Sequence, residues 1–207
     1  MISHKHQCIF IHIPRTCGSF IEKYVFKEIV PIQDKHLTSK LAKIKYKDYW
    51  HKYTKFSIIR DPWARIYSLI NLDNTYTNCK LVDGKINNID GYLSRFTVED
   101  IPVETDYRYN KIEKSAEFKK SMLYSNFIGA EMDYILDYDK LNQGLPLLLE
   151  QLKISFNMHE IKTPHEKYEH FYTDYARNQV LSLHKDELKK YNLSFGKGRI
   201  NGIPHEF

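Results

Sequence analysis

Residues 8 to 26, CIFIHIPRTCGSFIEKYVF, decide how the rest of the chain is read. Cys8, Ile9, Phe10, Ile11, His12 and Ile13 form a nearly continuous apolar run, the pattern of a strand buried on both faces of a parallel sheet. A loop with one proline and one glycine follows, from Pro14 to Ser19. Beyond it Ile21, Tyr24, Val25 and Ile29 fall on one helical stripe, which Pro31 is expected to close. Strand, loop and helix in that order can point backbone N–H groups at an anion, and Arg15 with the hydroxyls of Thr16 and Ser19 would complete such a cradle. The plain alternative is a strand-to-helix turn that carries a surface arginine. A Walker A loop is not what stands here, because Gly18 occupies the place where that motif puts the lysine before its Ser/Thr.

Outward from this stretch the pattern recurs. In KFSIIRDPWARIYSLI, residues 55 to 70, a strand over 56 to 60 runs into Asp61 as helix N-cap and Pro62 as first helical residue, with Trp63, Ile66 and Ile70 as the buried stripe. Arg60 ends that strand and Ser68 lies about two turns into the helix, so the two can converge on a second phosphate. Otherwise Arg60 pairs with Asp61 or Asp139, and Ser68 is a neutral helix residue. DYILDYDKL, residues 133 to 141, again reads as strand then helix, with Asp139 as N-cap and Leu145, Leu148, Leu149 and Leu152 as the buried face. Three such units imply an α/β fold, a parallel sheet covered on both sides, with ligands at the carboxyl ends of the strands.

The remaining segments are less regular. A Lys- and Tyr-rich stretch from 38 to 53 reads as helical, 72 to 120 is polar with helical hints at 86 to 96 and 111 to 120, and 166 to 191 reads as one long helical segment. The totals fit a single domain over 1 to 207, with 42% hydrophobic and 28% charged residues. A formal charge of +5, evenly spread, suits an anionic ligand and does not argue for nucleic acid. Cys8, Cys17 and Cys79 are odd in number and unpaired in spacing, which speaks against a disulfide framework or a zinc site and for a reducing compartment. The ten histidines are scattered, so no metal is expected. No apolar run approaches the roughly 20 residues of a membrane span and MISHKHQ lacks a signal-peptide core, giving the expectation of a cytoplasmic protein.

Together the two loops resemble the paired 5′- and 3′-phosphate signatures of sulfotransferases that use 3′-phosphoadenosine 5′-phosphosulfate (PAPS), in particular the carbohydrate sulfotransferases of sulfotransferase family 2. That family's first motif reads like F-I-H-I-P-K-T-G-G-T, against FIHIPRTCGS at 10 to 19; its second reads like F-x-x-V-R-[ND]-P-W-x-R-x-x-S, against FSIIRDPWARIYS at 56 to 68. Weaker likenesses are KHLTSKL at 35 to 41, YILDYDKL at 134 to 141 and the Tyr-rich run at 168 to 195. Two departures stand out: Arg15 replaces a lysine and Cys17 a second glycine.

The resemblance implies a P-loop-NTPase-like parallel sheet flanked by helices on both faces, and PAPS as the donor. It assigns Pro14, Arg15, Thr16, Cys17, Gly18 and Ser19 to the 5′-phosphate, with Arg15 stabilising the leaving group, and Arg60 and Ser68 to the 3′-phosphate. His36, in the histidine-containing segment, becomes the general base, and its near-neutral intrinsic pKa suits that task. The alternative is that His36 merely precedes a helix. His12 is the competitor for that role, although its place inside the first strand favours a buried, hydrogen-bonded core histidine, and His51 lies on the next helix without an evident partner. In the tail GKGRINGIP, Lys197 and Arg199 are expected near the 3′-phosphate, unless the terminus frays. The basic run of Lys35, Lys40, Lys43, Lys45, Lys47, Lys52 and Lys55 is either a solvated helix face or a seat for an acceptor bearing carboxylates or sulfates. Sulfuryl transfer to a hydroxyl of a small-molecule or glycan acceptor, without a metal, is the leading reading. A kinase-like phosphotransferase and an inactive module binding a nucleotide or sulfated glycan are the alternatives.

Overall fold

The computed structural model describes residues 1–31, 34–72, 81–82, 85–86, 89–93, 123–156, 167–196 and 198–199. Its strands in chain order are β1 (Ile2–Ser3), β2 (Cys8–Ile11), β3 (Thr54–Ile59), β4 (Leu81–Val82), β5 (Lys85–Ile86), β6 (Tyr134–Asp137), β7 (Leu193–Ser194) and β8 (Gly198–Arg199). The main sheet runs β1-β2-β3-β6, with β1 antiparallel to β2 and the other neighbours parallel. Ile11 pairs with Ser57, and Ser57 with Ile135. The three expected strands are therefore adjacent and parallel, and the chain is α/β.

The period-two alternation of each strand divides the core. On one face Ile9, Ile11 and Ile59 pack with Trp63, Ile66 and Ile70 of α4 (Pro62–Leu72), and with Ala42 and Trp50 of the segments α2 (Ser39–Lys45) and α3 (Lys47–Trp50). On the other, Phe10, Phe56, Ile58 and Leu136 meet Ile21, Val25 and Phe26, together with Leu141, Leu145 and Leu148 of α6 (Leu141–Gln151). Between α4 and α6 in the chain lies the short α5 (Ile89–Leu93). Among the described residues no helix is long and apolar enough to cross a membrane.

Local chemistry explains where elements end differently from their sequence reading. Asp61 caps α4 as expected: its Oδ1 accepts from the backbone N–H of Trp63 at 2.8 Å and of Ala64 at 3.1 Å. Asp139 does not cap the third helix. That helix begins after Lys140 with no side-chain cap, and Asp137 instead caps the 3-10 turn Tyr138–Lys140 that leads into it, its Oδ1 accepting from the Asp139 N–H at 2.9 Å. The helix after the first loop closes at Lys27, in a left-handed conformation with φ 54°, rather than at Pro31. The long C-terminal segment is two helices, α7 (Asp174–Leu183) and α8 (Lys185–Tyr191), broken at His184, whose Nδ1 bonds Glu187 Oε2 at 2.8 Å. Thr173 rather than an earlier residue starts α7, its hydroxyl accepting from Ala176 N–H at 3.1 Å.

One difference reorients the site. After a single turn, α1 (Gly18–Phe20), the chain continues as a π-helix over Ile21–Phe26. Bonding to the fifth residue shifts which positions share a face. Ile21, Glu22, Val25 and Phe26 are buried, whereas Tyr24 and Ile29, assigned to the buried stripe by an α-helical period, stand exposed. The cost of that change is a carboxylate, Glu22, turned inward.

Candidate functional site

Beyond the carboxyl ends of β2 and β3 lies an open cleft of about 350 Å³. Pro14, Arg15, Cys17, Gly18 and Ser19 of the first loop border it, as do Arg60 and Ser68 of the second and His36 of the connector. Eight residues from three separate parts of the sequence thus meet in one space. Two further wall residues, His12 and Tyr138, come from the end of the first strand and the turn after β6.

Among the described residues the two arginines of the cleft are held without acid partners, whereas Lys35, also on its wall, is paired with Glu22. Arg15 Nε donates to Ser68 Oγ at 2.8 Å, joining the two loops directly. Arg60 lies over the Tyr138 ring, 4.4 Å from its centroid, and its Nε is a buried donor with no hydrogen-bond partner among the described residues. Among the described residues neither arginine has a carboxylate within ion-pair distance, so the alternative pairing of Arg60 with Asp61 or Asp139 is not formed. Desolvation and the Arg60 guanidinium both pull the Arg15 pKa down, as two cations facing one space require. Asp61, adjacent in sequence, is otherwise engaged: its Oδ2 accepts from the Tyr168 hydroxyl and from the Gly196 N–H at 3.3 Å. Burial raises the Asp61 carboxyl to about 6.

The first loop is backbone-strained at both departures from the family pattern. Arg15 has φ 67° and Cys17 has φ 73° and ψ 8°, the left-handed region that glycine enters without penalty. Burial pushes the Cys17 thiol up to about 11, so it is uncharged at neutral pH and serves as a small wall residue. Gly18 is required for space: a Cβ there would lie 1.9 Å from Cδ2 and 2.2 Å from Nε2 of His12. Thr16, assigned to the cradle, is fully buried and gives its hydroxyl to the Ile13 carbonyl at 2.8 Å, which closes the loop instead of facing the cleft.

The histidines sit as a pair. His36 Nδ1 is 2.9 Å from the His12 carbonyl oxygen, an acceptor only, so Nδ1 carries the proton and Nε2 keeps its lone pair. Burial, and secondarily His12, lower the His36 pKa to about 3. His12, buried and stacked on Phe10, holds its Nδ1 2.6 Å from Glu22 Oε1, and the two imidazole centroids are 4.2 Å apart. Lys35 Nζ is 3.6 Å from Glu22 Oε2. His51, the C-cap of α3, is exposed and does not border the cleft.

Sequence reasoning missed the residues that brace this arrangement. Arg65 is a fully buried arginine whose Nε donates to the Pro14 carbonyl at 3.0 Å, while its guanidinium lies 5.1 Å from the Tyr124 ring centroid. Tyr124 in turn donates its hydroxyl to the Arg60 carbonyl. Each loop is thereby anchored at its first residue from behind. The second arginine of RDPWAR was the readable signal for Arg65. Tyr124 and Glu22 had none, since one follows a segment without pattern and the other depends on the π-helix. In the tail, β7 and β8 pair antiparallel, with Leu193 opposite Arg199, and β8 lies beside the turn that carries Tyr138. The Arg199 side chain and Lys197 lie outside the described residues.

Comparison of the chain with protein-family models, with curated proteins and with solved structures finds no match.

Proposed function

We propose that the chain is a PAPS-dependent sulfotransferase acting on a hydroxyl, with a carbohydrate as the acceptor class that its motifs suggest. The observation that carries this reading is the meeting of Arg15, Arg60 and Ser68 with the first loop in one cleft, both guanidiniums lacking a carboxylate partner among the described residues. Arg60, half-buried with an Nε that has no partner among the described residues, is a costly arrangement that an anionic ligand relieves, while Arg15 is exposed and is held at the cleft by its bond to Ser68. The two guanidiniums together fit a ligand with two anionic ends, and arginine's planar fork suits phosphate at each. A P-loop-NTPase-like topology with helices on both faces is part of the same proposal.

On this reading the acceptor oxygen attacks the sulfur in line with the oxygen of the leaving 5′-phosphate. Arg15 and the backbone of residues 14 to 19 receive the growing charge. Arg60 and Ser68 hold the 3′-phosphate, with the Arg60 guanidinium over the Tyr138 ring. Arg65 and Tyr124 fix the positions of both loops. Titration calorimetry with adenosine 3′,5′-bisphosphate, ADP and ATP tests the proposal: the bisphosphate binds tightest, and magnesium does not improve ATP. Tighter ATP binding with magnesium favours the phosphotransferase alternative.

A further inference from the structure

We infer that His12, backed by Glu22, is the group that takes the acceptor's proton, with His36 as its neutral neighbour. This rests on the sulfuryl-transfer reading and assigns a role within that site to a residue the sequence places in the core.

Glu22 Oε1 lies 2.6 Å from His12 Nδ1, and an ionised carboxylate only accepts, so Nδ1 carries the proton and Nε2 the lone pair. Burial alone would raise the Glu22 pKa, but the His12 bond, the His12 charge and Lys35 outweigh it and hold the carboxyl below its ordinary value. The Nε2 edge lies over Gly18 on the wall of the cleft, and only the missing Cβ of Gly18 leaves room for it. The same small residue thus opens the loop and admits the imidazole.

His36 also keeps a free Nε2, but what stands behind the two rings differs. A carboxylate behind an imidazole stabilises the imidazolium that forms on proton transfer; a neutral carbonyl, as behind His36, does so far less. The groups that face His12 are Glu22 from the π-helix, His36 and Lys35 from the connector, and the Met1 amine beside β2. Three of these are cationic or can become so. Glu22 is the one anion, and it makes the only direct bond to the ring among the described residues. Glu22 reaches it because the π-helix turns position 22 inward.

The step balances without a co-reactant. The acceptor O–H bond breaks and its proton goes to His12 Nε2; the new O–S bond forms as the bond from sulfur to the 5′-phosphate oxygen breaks, and that electron pair leaves with adenosine 3′,5′-bisphosphate. The imidazolium, held by Glu22, then returns its proton to water. His12 is the catalytic residue and Glu22 a positioning residue.

Long-range proton–nitrogen NMR of the imidazoles in the whole chain, saturated with adenosine 3′,5′-bisphosphate, tests the assignment. His12 is expected to take its second proton at higher pH than His36, by about a unit or more, and Glu22→Gln to lower the His12 midpoint while leaving that of His36 nearly in place. A His36 midpoint above that of His12, or no response to Glu22→Gln, overturns it. With PAPS as donor and water as the probe acceptor, His12→Gln lowers bisphosphate release about 10²- to 10⁴-fold with bisphosphate affinity retained, and His36→Gln lowers it less. Should His12→Gln fail to fold, the pH–rate profile of Glu22→Gln decides: its acid limb moves to lower pH if the inference holds and stays put if it does not. A wild-type chain that does not bind the bisphosphate overturns the sulfuryl-transfer reading, and the catalytic role falls with it. Binding with the two histidines in reversed order overturns only the choice of His12.

Discussion

Two basic regions of this molecule invite the same functional guess and have opposite structures. The lysine-rich stretch from 35 to 55 holds more positive charge than the cleft, yet its side chains are largely spoken for. Lys43 pairs with Glu131 at 2.5 Å, Lys55 with Asp133 at 2.8 Å, and Lys45 with Asp34. Arg15 and Arg60 have a serine and an aromatic ring as neighbours and, among the described residues, no acid. On the proposed reading, counting cations along a sequence ranks the two regions the wrong way round. What marks a binding site is positive charge whose counter-charge the fold withholds.

The sharpest way to break this contrast is to remove one cation from each region. Arg60→Ala should weaken adenosine 3′,5′-bisphosphate by about 1.5–3 kcal/mol, the worth of a charged hydrogen bond, and weaken AMP much less. Calorimetry with both ligands reads the difference. Equal weakening would reduce Arg60 to a structural role. Lys45→Ala, on the neutralised side, should change neither affinity measurably.

Gly18→Ala follows in size. The added methyl meets the His12 ring at 1.9 Å, and since that ring is held by Glu22 and stacked on Phe10, the overlap costs about 1–3 kcal/mol of stability. Denaturant unfolding measures it. An unchanged midpoint would mean that His12 is free to swing away.

Acid sensitivity sharpens the contrast on the cleft side. The His36 pKa near 3 lies below the ordinary 6.5, so the unfolded chain binds the proton first and stability falls as pH drops from 6.5 toward 3. One group in this position contributes up to about 1.4 kcal/mol per pH unit. His12 and His184, whose pKa values burial also lowers, act in the same direction. Asp61, raised from 3.8 to about 6, opposes them: the folded state holds its proton longer, so this group loses stability as pH rises through that range. Unfolding curves between pH 4 and 7 should flatten for His36→Gln and steepen for Asp61→Asn. The smallest expected effect is a gain. Cys17→Gly should stabilise by about 1 kcal/mol, since glycine enters the left-handed region at φ 73° without the side-chain penalty.

Much of this was legible in the sequence because it rests on short-range patterns. Three apolar runs gave the three parallel strands, Asp61 and Pro62 gave the start of α4, and the loop compositions brought Arg15, Gly18, Ser19, Arg60, Ser68 and His36 to one cleft. What escaped depends on geometry that spacing does not encode. A π-helix shifts the buried face without any change in composition, so Tyr24 read as a core residue and the buried Glu22 was not singled out. Asp139 read as the cap of the third helix by composition, but a 3-10 turn capped by Asp137 comes between β6 and α6, and α6 starts without a side-chain cap. Thr16 and Ser19 are chemically alike, but the hydroxyl of Thr16 reaches the Ile13 carbonyl and is consumed there. Arg65 sits fully buried because Pro14 and Tyr124, from distant parts of the chain, together accommodate it.

The central claim is that the paired arginines of the cleft are built for the two anionic ends of adenosine 3′,5′-bisphosphate. Titration calorimetry of the wild-type chain with that ligand, with ATP and with ATP plus magnesium tests it most directly. The account predicts that the bisphosphate binds more tightly than ATP, with affinity falling as salt is raised and with no gain for ATP from magnesium. Equal or tighter binding of ATP, or no binding of the bisphosphate, would contradict it.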